Sequence, residues 1–166
     1  ANPVADQWLE SPLGAAVLAL ETRLLQDELA DLVGFELLQI GCWGDPARLC
    51  EAARTQHRSC IAPDATGPGA IRAHFDALPI ATNSVEAVLL PHTLEHAAHP
   101  HALLREVERV LVGEGHVLVC GFNPIGPWGV CAMSSRLDRS PSCGRISQRA
   151  KPGAVGRMPA RLMNAT

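Results

Sequence analysis

Two closely spaced glycines, Gly41 and Gly44, follow the apolar segment 35–40 and precede Asp45-Pro46. A short apolar run that stops at a glycine predicts a buried strand, and Asp followed by Pro predicts the start of a helix. Glycines in such a turn let the backbone approach a ligand closely, and the helix N-terminus offers N–H groups and a positive dipole. The turn is a candidate ligand loop, although a tight turn without a ligand has the same pattern.

The segment 92–96 has the spacing H-x-x-E-H. On a helix, His92 and His96 would share one face and could bind zinc, with Glu95 as general base. Pro91 and the apolar residues before it place the segment at the end of a strand instead, and no third ligand stands out. We therefore predict a histidine-rich loop and no metal site.

Strand-like and helix-like segments alternate along the chain, which predicts an α/β fold with a parallel sheet. The predicted helices cover 11–34, 47–55 and 100–111, and the predicted strands cover 35–40, 59–62, 71–75, 85–90 and 116–120. In such sheets ligands bind at the edge formed by the carboxyl ends of the strands. Gly41, Gly44, Asp64, Asp76 and His92 all come just after a predicted strand, which favours a ligand site at that edge.

The order of elements from Asp76 onward is similar to that of a known family. Asp76 is followed by Leu78-Pro79, a short polar loop, a strand, a helix that contains residues 104–111, a glycine-containing turn and another strand. Residues 37–123 thereby resemble the class I S-adenosylmethionine-dependent methyltransferases of the methyltransferase-11 type. The greatest similarity is to small bacterial methyltransferase-like proteins, through the stretches 37–44, 89–95 and 121–124.

The resemblance implies a Rossmann-like sheet of about five parallel strands with flanking helices, S-adenosylmethionine as cofactor and methyl transfer to an unidentified acceptor. It implies no catalytic residue, because methyl transfer mainly needs the two reactants to be positioned. Gln39 and Trp43 stand where an acid and a glycine are usual, and they favour the alternative of a non-catalytic remnant or binding module. The implied cofactor contacts are Gly41, Cys42 and Gly44 with the methionine part, Asp64 with the ribose, Asp76, Ala77 and Leu78 with the adenine, and His92 near the methyl group.

The charge of the chain is unevenly distributed. Residues 134–166 hold seven of the 14 basic side chains and one acidic residue, Asp138, while the whole chain has a net charge of −3. The acidic remainder is unlike a nucleic-acid-binding protein, so we expect no nucleic-acid partner. We predict a methyltransferase-like domain over residues 1–133 and a basic, disordered tail over residues 134–166, because the tail has few large apolar residues and no periodicity.

The longest apolar run near the N-terminus, residues 15–20, is too short to cross a membrane and lacks the flanks of a secretory signal. The six cysteines form no C-x-x-C pair, so we predict reduced thiols that behave as small apolar residues. These features predict a soluble, cytoplasmic protein without a membrane partner.

No strand pattern follows Pro124. The methyltransferases that the chain resembles have two more strands after the fifth, so we predict a C-terminally truncated fold that lacks them. The fifth strand, residues 116–120, would then be an exposed edge, and exposed apolar edges promote self-association.

Overall fold

The computed structural model describes residues 7–65, 69–122, 130–138 and 145–149, which form an α/β fold around a seven-stranded sheet. The strands are β1 (Val33–Ile40), β2 (Arg54–Ala62), β3 (Ala70–Arg72), β4 (Val85–Pro91), β5 (Leu111–Phe122), β6 (Val130–Asp138) and β7 (Arg145–Arg149). The helices are α1 (Pro12–Leu29), α2 (Pro46–Leu49), α3 (Thr93–His96) and α4 (Pro100–Val110). The spatial order of the strands is β3-β2-β1-β4-β5-β6-β7.

The first five strands are parallel, which confirms the predicted Rossmann-like sheet. β1 lies between β2 and β4, so the strand order reverses at β1. At such a switch the connections leave in opposite directions and open a crevice beyond the carboxyl ends of the strands. Gly41 follows β1 and His92 follows β4, which places both residues at this crevice.

Helix α1 begins at a capped serine, as predicted. The Ser11 hydroxyl accepts a hydrogen bond from the Gly14 N–H at 3.1 Å, and Pro12 occupies the first turn. The predicted extension to Gly34 is wrong, because α1 ends earlier and Gly34 lies within β1. A Cβ atom at residue 34 would lie 3.2 Å from the Cβ of Glu86 on β4, so this glycine permits close strand packing and does not cap a helix.

Pairing with β1 overrides the helix pattern that follows Asp45. The Asp45 carboxylate accepts a hydrogen bond from the Ala47 N–H at 3.0 Å, but α2 is a single turn and the predicted helix over 47–55 is wrong. The chain instead enters β2 at Arg54 and pairs in parallel with β1. β3 is also shorter than predicted and ends at Arg72. These pairings are tertiary effects that local periodicity does not report.

Two strands follow β5, so the expectation that the sheet stops after the fifth strand is wrong. β6 pairs antiparallel with β5 from His116 to Phe122, and β7 pairs antiparallel with β6. β5 is therefore not an exposed edge, which removes the basis for self-association through it. Residues 130–138 show no regular apolar alternation, and the ladder uses main-chain groups that every residue type supplies, so the sequence pattern missed them.

The predicted domain boundary at residue 133 falls inside β6. Residues 139–144 and 150–166 of the predicted tail lie outside the described residues. The division of the chain at residue 133 and the disorder of the tail stay predictions.

The core occupies both faces of the sheet. One face is covered by α1, which contributes Leu25 and Leu29, and the other by α4, which contributes Leu103 and Val107. Successive leucines of β1 and β4 belong to opposite clusters and are fully buried, as expected for a parallel sheet covered on both sides. The sheet that carries the crevice is therefore packed against a core on both of its faces.

Candidate functional site

The predicted glycine loop has the backbone of a tight turn. Gly41 has φ of +92° and Gly44 has φ of +63°, both in the left-handed region that favours glycine. A Cβ atom at Gly41 would collide with the Thr93 hydroxyl, and one at Gly44 would lie 3.1 Å from Leu18 of α1. The backbone and packing of the chain itself therefore require both glycines, whether or not a ligand binds.

Gln39 holds this loop from the inside of the sheet. Its amide N–H donates to the Gly41 carbonyl at 2.9 Å, and its amide oxygen accepts from the Cys50 thiol at 3.2 Å. Burial raises the pKa of Cys50 to about 11, so the thiol keeps the proton that it donates. An amide both donates and accepts, whereas a carboxylate only accepts, so this internal bracing explains the departure from the usual acid.

Trp43 turns into the core and is 4% exposed. Its indole N–H donates to Glu21 Oε2 at 2.8 Å, and its ring stacks on His92 with centroids 4.0 Å apart and planes 29° apart. Trp8 and Phe122 pack around it, with centroids 6.0 Å and 6.1 Å from the Trp43 ring. The tryptophan thus belongs to an internal aromatic group on the α1 side of the sheet.

His92 is buried between two carboxylates. Its Nε2 lies 2.7 Å from Glu21 Oε1, and its Nδ1 lies 3.2 Å from Glu95 Oε2. Two ring nitrogens that both face acceptors suit a protonated imidazole. Burial by itself would lower the pKa of His92, but the hydrogen bonds and charges of Glu21 and Glu95 raise it to about 9. The stacked Trp43 ring adds a cation–π contact to the imidazolium.

Glu95 joins this group to the end of β5. Its Oε1 accepts a hydrogen bond from the Phe122 N–H at 2.6 Å. Burial would raise the pKa of Glu95, but the bonds from His92 and Phe122 hold it below its ordinary value. The carboxylate is therefore ionised at neutral pH. We call the following set the His92 cluster: Trp8, Glu21, Trp43, His92, Glu95 and Phe122.

The H-x-x-E-H segment forms no metal site in the described part of the chain. Within the described residues, no group of three or more His, Cys, Asp or Glu side chains is arranged to hold an ion. His96 is exposed at the end of α3, while both ring nitrogens of His92 face carboxylates. The spacing of the segment instead lets Glu95 reach back to His92 across three residues.

The structure brings part of the predicted cofactor set together. Gly41, Cys42 and Gly44 lie just beyond β1, and His92 lies just beyond the neighbouring strand β4. Asp64 is exposed and follows β2, the strand on the other side of β1. These residues share the carboxyl edge of the sheet, although His92 faces the α1 side through its contacts with Trp43.

The other predicted residues lie in the loop between β3 and β4. Asp76 and Ala77 are exposed, whereas Leu78 is buried in the core cluster on the α4 side. The loop therefore anchors one apolar side chain and presents a carboxylate beside a small residue. That combination suits a flat ring with an exocyclic amine, because the carboxylate can accept its hydrogen bond.

Two residues of α4, Glu106 and Arg109, hold the backbone of this loop in place. We call residues 76–80 together with Glu106 and Arg109 the braced loop. Glu106 accepts from the Leu78 N–H at 2.8 Å. Arg109 donates to the carbonyls of Leu78 and Ile80 at 3.0 Å and 2.8 Å and pairs with Glu106 at 2.8 Å. The hydrogen bond from Arg109 also lowers the pKa of Glu106. The loop backbone is thus fixed by charged side chains from outside it.

Glu21 and the two bracing residues, Glu106 and Arg109, were not predicted from the sequence. Glu21 is 1% exposed and lies on the same face of α1 as Leu25 and Leu29. An acid in line with apolar residues at four-residue spacing is a readable signal, because buried carboxylates need a partner. Glu106 and Arg109 resemble an ordinary exposed ion pair at three-residue spacing, and their bonds to the loop involve backbone groups that no sequence pattern marks.

Comparison with known proteins decides the family. Residues 38–119 match the model of a methyltransferase domain family, Methyltransf_11. The matched part of the chain is therefore a methyltransferase domain of this family. The matched range starts within β1 and ends within β5, so it contains the glycine loop, the braced loop and His92.

The curated relatives of this methyltransferase domain are bacterial. The chain is 35% identical over 125 residues to the uncharacterised protein YafS of Escherichia coli K12, covering 75% of this chain and 51% of that one. It is 33% identical over 138 residues to the uncharacterised protein Rv2003c of Mycobacterium tuberculosis H37Rv, covering 74% and 44%. The chain thus spans about half the length of these relatives or less.

Solved structures share the fold of the methyltransferase domain. A SAM-dependent methyltransferase from Aquifex aeolicus matches with a TM-score of 0.52 at 14% identity, covering 76% of this chain and 78% of that one. The [4+2]-cyclase SpnF matches with a TM-score of 0.51 at 22% identity, covering 60% and 43%. Since the second is a cyclase, the fold by itself does not determine the reaction. In the described part of the chain, no helix has the length and apolar character that a membrane span requires.

Proposed function

We propose that this domain is a methyltransferase that binds S-adenosylmethionine along the carboxyl edge of β1, β2 and β3 and transfers its methyl group to an acceptor. The observation that carries the proposal is the placement of the glycine loop, Asp64 and Asp76 at one sheet edge within the family match. The acceptor is a partner that the described residues do not identify. We also propose a cytoplasmic location, which the reduced thiols of Cys42, Cys50, Cys60 and Cys120 support.

The residues on the adenosine side fit the cofactor. Asp76 and Ala77 are exposed on a braced backbone, and Asp64 is exposed near the end of β2. A carboxylate can accept bonds from ribose hydroxyls and from an adenine amine. We assign Asp64 to the ribose, and Asp76 with Ala77 and Leu78 to the adenine.

On the methionine side, the glycine loop supplies backbone groups and Cys42. The side chains of Trp43 and His92 already bond to other parts of the protein. Gly41 and Gly44 permit the close approach. Trp43 and His92 contact each other and Glu21, so they position the loop and need not touch the cofactor. We therefore give His92 a positioning role at this end.

S-adenosylmethionine supplies an activated methyl group when it is bound. The protein has to hold donor and acceptor in line and exclude competing water, which needs no nucleophilic side chain. We accordingly assign no catalytic residue among the described side chains. The sheet, which is packed on both faces, and the braced loop provide the fixed geometry that such positioning requires.

A second candidate is a methyltransferase-like module that binds without catalysis. The specific observation in its favour is the His92 cluster, in which Trp43 replaces a usual glycine and is buried against His92. A module of this kind would still bind the adenosine part of the cofactor but would no longer position its methyl group for transfer.

Calorimetric titration of the purified protein tests both candidates. We expect micromolar binding of S-adenosylmethionine and of its demethylated product, S-adenosylhomocysteine. The module predicts comparable binding of adenosine and of the full cofactor, because the methionine part would add nothing. Absence of heat with millimolar cofactor and a folded protein would exclude both.

A further inference from the structure

Two cysteines meet at the carboxyl edge of the sheet. Cys42 follows β1, Cys60 lies in the neighbouring strand β2, and their Sγ atoms are 3.8 Å apart. Both residues are half-buried, whereas Cys50 and Cys120 are fully buried. The left-handed turn at Gly41 directs the chain so that two residues from adjacent strands bring their sulfurs together.

The pair is suited to covalent bonding. To form a disulfide, the two sulfurs need to close from 3.8 Å to about 2.05 Å. The Cys60 sulfur also lies 3.8 Å from the Gly41 carbonyl oxygen. The two thiols therefore flank the peptide that we assign to the cofactor.

The thiol of Cys60 holds its proton strongly. The hydrogen bond to Cys42 and then burial raise the pKa of Cys60 well above its ordinary value. Cys60 is thus the sulfur that keeps its proton, and either sulfur can donate in the contact between them. A thiolate is the nucleophile in thiol chemistry, so we take Cys42 as the first sulfur to react.

We propose that Cys42 and Cys60 are a redox modification site, at which a peroxide converts the two thiols into a reversible disulfide that closes the cofactor loop. The Cys42 thiol releases its proton and its sulfur attacks one peroxide oxygen; the O–O bond breaks, a sulfenic acid forms, and the leaving hydroxide takes up the released proton to become water. The Cys60 sulfur then attacks the Cys42 sulfur, the S–O bond breaks, the S–S bond forms, and a second water leaves with the Cys60 proton. The two thiols together lose two electrons, and one peroxide is reduced to two waters.

The consequence for binding rests on the proposed function. The disulfide pulls residue 42 toward β2 and draws the Gly41 peptide with it, so the loop loses one or two backbone bonds to the cofactor. Because these bonds contribute to binding, we expect the affinity for S-adenosylmethionine to fall about tenfold. Reduction with dithiothreitol should restore it.

The test uses the full chain with Cys131 and Cys143 replaced by Ser, so that Cys42, Cys50, Cys60 and Cys120 are the remaining thiols. Titration with hydrogen peroxide should lower the intact mass by about two hydrogens, and peptide mapping should find Cys42 joined to Cys60. The variants C42S and C60S should lose this product, whereas C120S should keep it.

The outcomes separate this inference from the proposed function. A linked pair in a protein that binds no cofactor before oxidation supports the modification site and overturns the proposed function. Oxidation to sulfinic acid without a 42–60 linkage overturns the modification site, whatever the affinity. A linked pair with unchanged affinity overturns the regulatory consequence alone.

Discussion

The His92 cluster and the braced loop lie on opposite faces of the same sheet and are built in different ways. The His92 cluster is closed, because its central residues, Glu21, Trp43 and His92, are buried and contact one another. The braced loop is open, because Asp76 is exposed and the charged braces act on the backbone behind it. The polar groups at the centre of the His92 cluster bond to one another, whereas the braced loop presents the Asp76 carboxylate, which a ligand can bind.

This difference changes which motif is diagnostic of binding. A side chain at Gly41 would collide with Thr93, so Gly41→Val should unfold the loop even if no cofactor ever binds there. The glycine motif therefore reports the fold, and the exposed carboxylate of Asp76 reports binding. We therefore expect substitutions in the His92 cluster to change the stability of the protein and substitutions in the braced loop to change its affinity for the cofactor.

The largest effect is expected for Trp43→Ala. Removing a buried indole leaves a cavity and an unpaired hydrogen-bond acceptor on Glu21, which together should cost about 3–5 kcal/mol of unfolding free energy. Urea denaturation measures the loss. Phe35→Ala is the matched control, since Phe35 is an aromatic residue of β1 that is 56% exposed and should lose much less. Equal losses for the two variants would show that Trp43 is not part of a closed cluster.

The next effect is a pH dependence of stability that originates from His92. Its pKa is raised from 6.5 to about 9 in the folded protein. A raised pKa contributes stability that is fully present below pH 6.5 and is lost as the pH rises through 9. The total is about 3 kcal/mol at most.

Unfolding free energies at several pH values between 6 and 10 measure this effect. The variant His92→Gln should flatten the profile over that window, and the exposed His96→Gln should leave it unchanged. Because other groups also contribute to the pH profile, the informative quantity is the difference between wild type and His92→Gln. A difference that does not vary with pH would mean that the pKa of His92 is the same in the folded and the unfolded protein.

The sequence predicts the parallel sheet and the positions of Gly41, Asp76 and His92 after strands, since apolar runs and turn residues are local signals. It misses β6, β7 and the length of β2, because strand pairing depends on main-chain partners that are distant in sequence. It also leaves Gln39 and Trp43 as unexplained departures. Both are explained by partners far away along the chain, Cys50 and Glu21, which only the folded structure brings near.

A smaller effect, on affinity alone, is expected for Asp76→Asn. The change keeps the size of the side chain and removes the charge-assisted bond to the adenine amine, which should weaken cofactor binding by roughly 1–3 kcal/mol. The thermal midpoint should stay within a degree or two, because Asp76 is exposed. Glu114→Gln, an exposed acid at the far end of β5, is the control for charge. If Asp76→Asn lowers stability but not affinity, the carboxylate serves only the turn.

The smallest effect is expected for Arg109→Met, which keeps the aliphatic stem and removes the guanidinium that holds the backbone of Leu78 and Ile80. The Arg109 side chain is 33% exposed, so solvent screens its pairing with Glu106 and the stability loss should be about 1 kcal/mol. Because Asp76 is fixed through this backbone, the affinity for the cofactor should fall as well, by a smaller factor than in Asp76→Asn.

The double variant discriminates between direct contact and positioning: if Arg109 acts only by positioning Asp76, adding Arg109→Met to Asp76→Asn should not weaken binding further. Arg105→Met, one turn earlier on the same helix and exposed, should change neither quantity. Additive losses in the double variant would instead give Arg109 its own contact with the ligand.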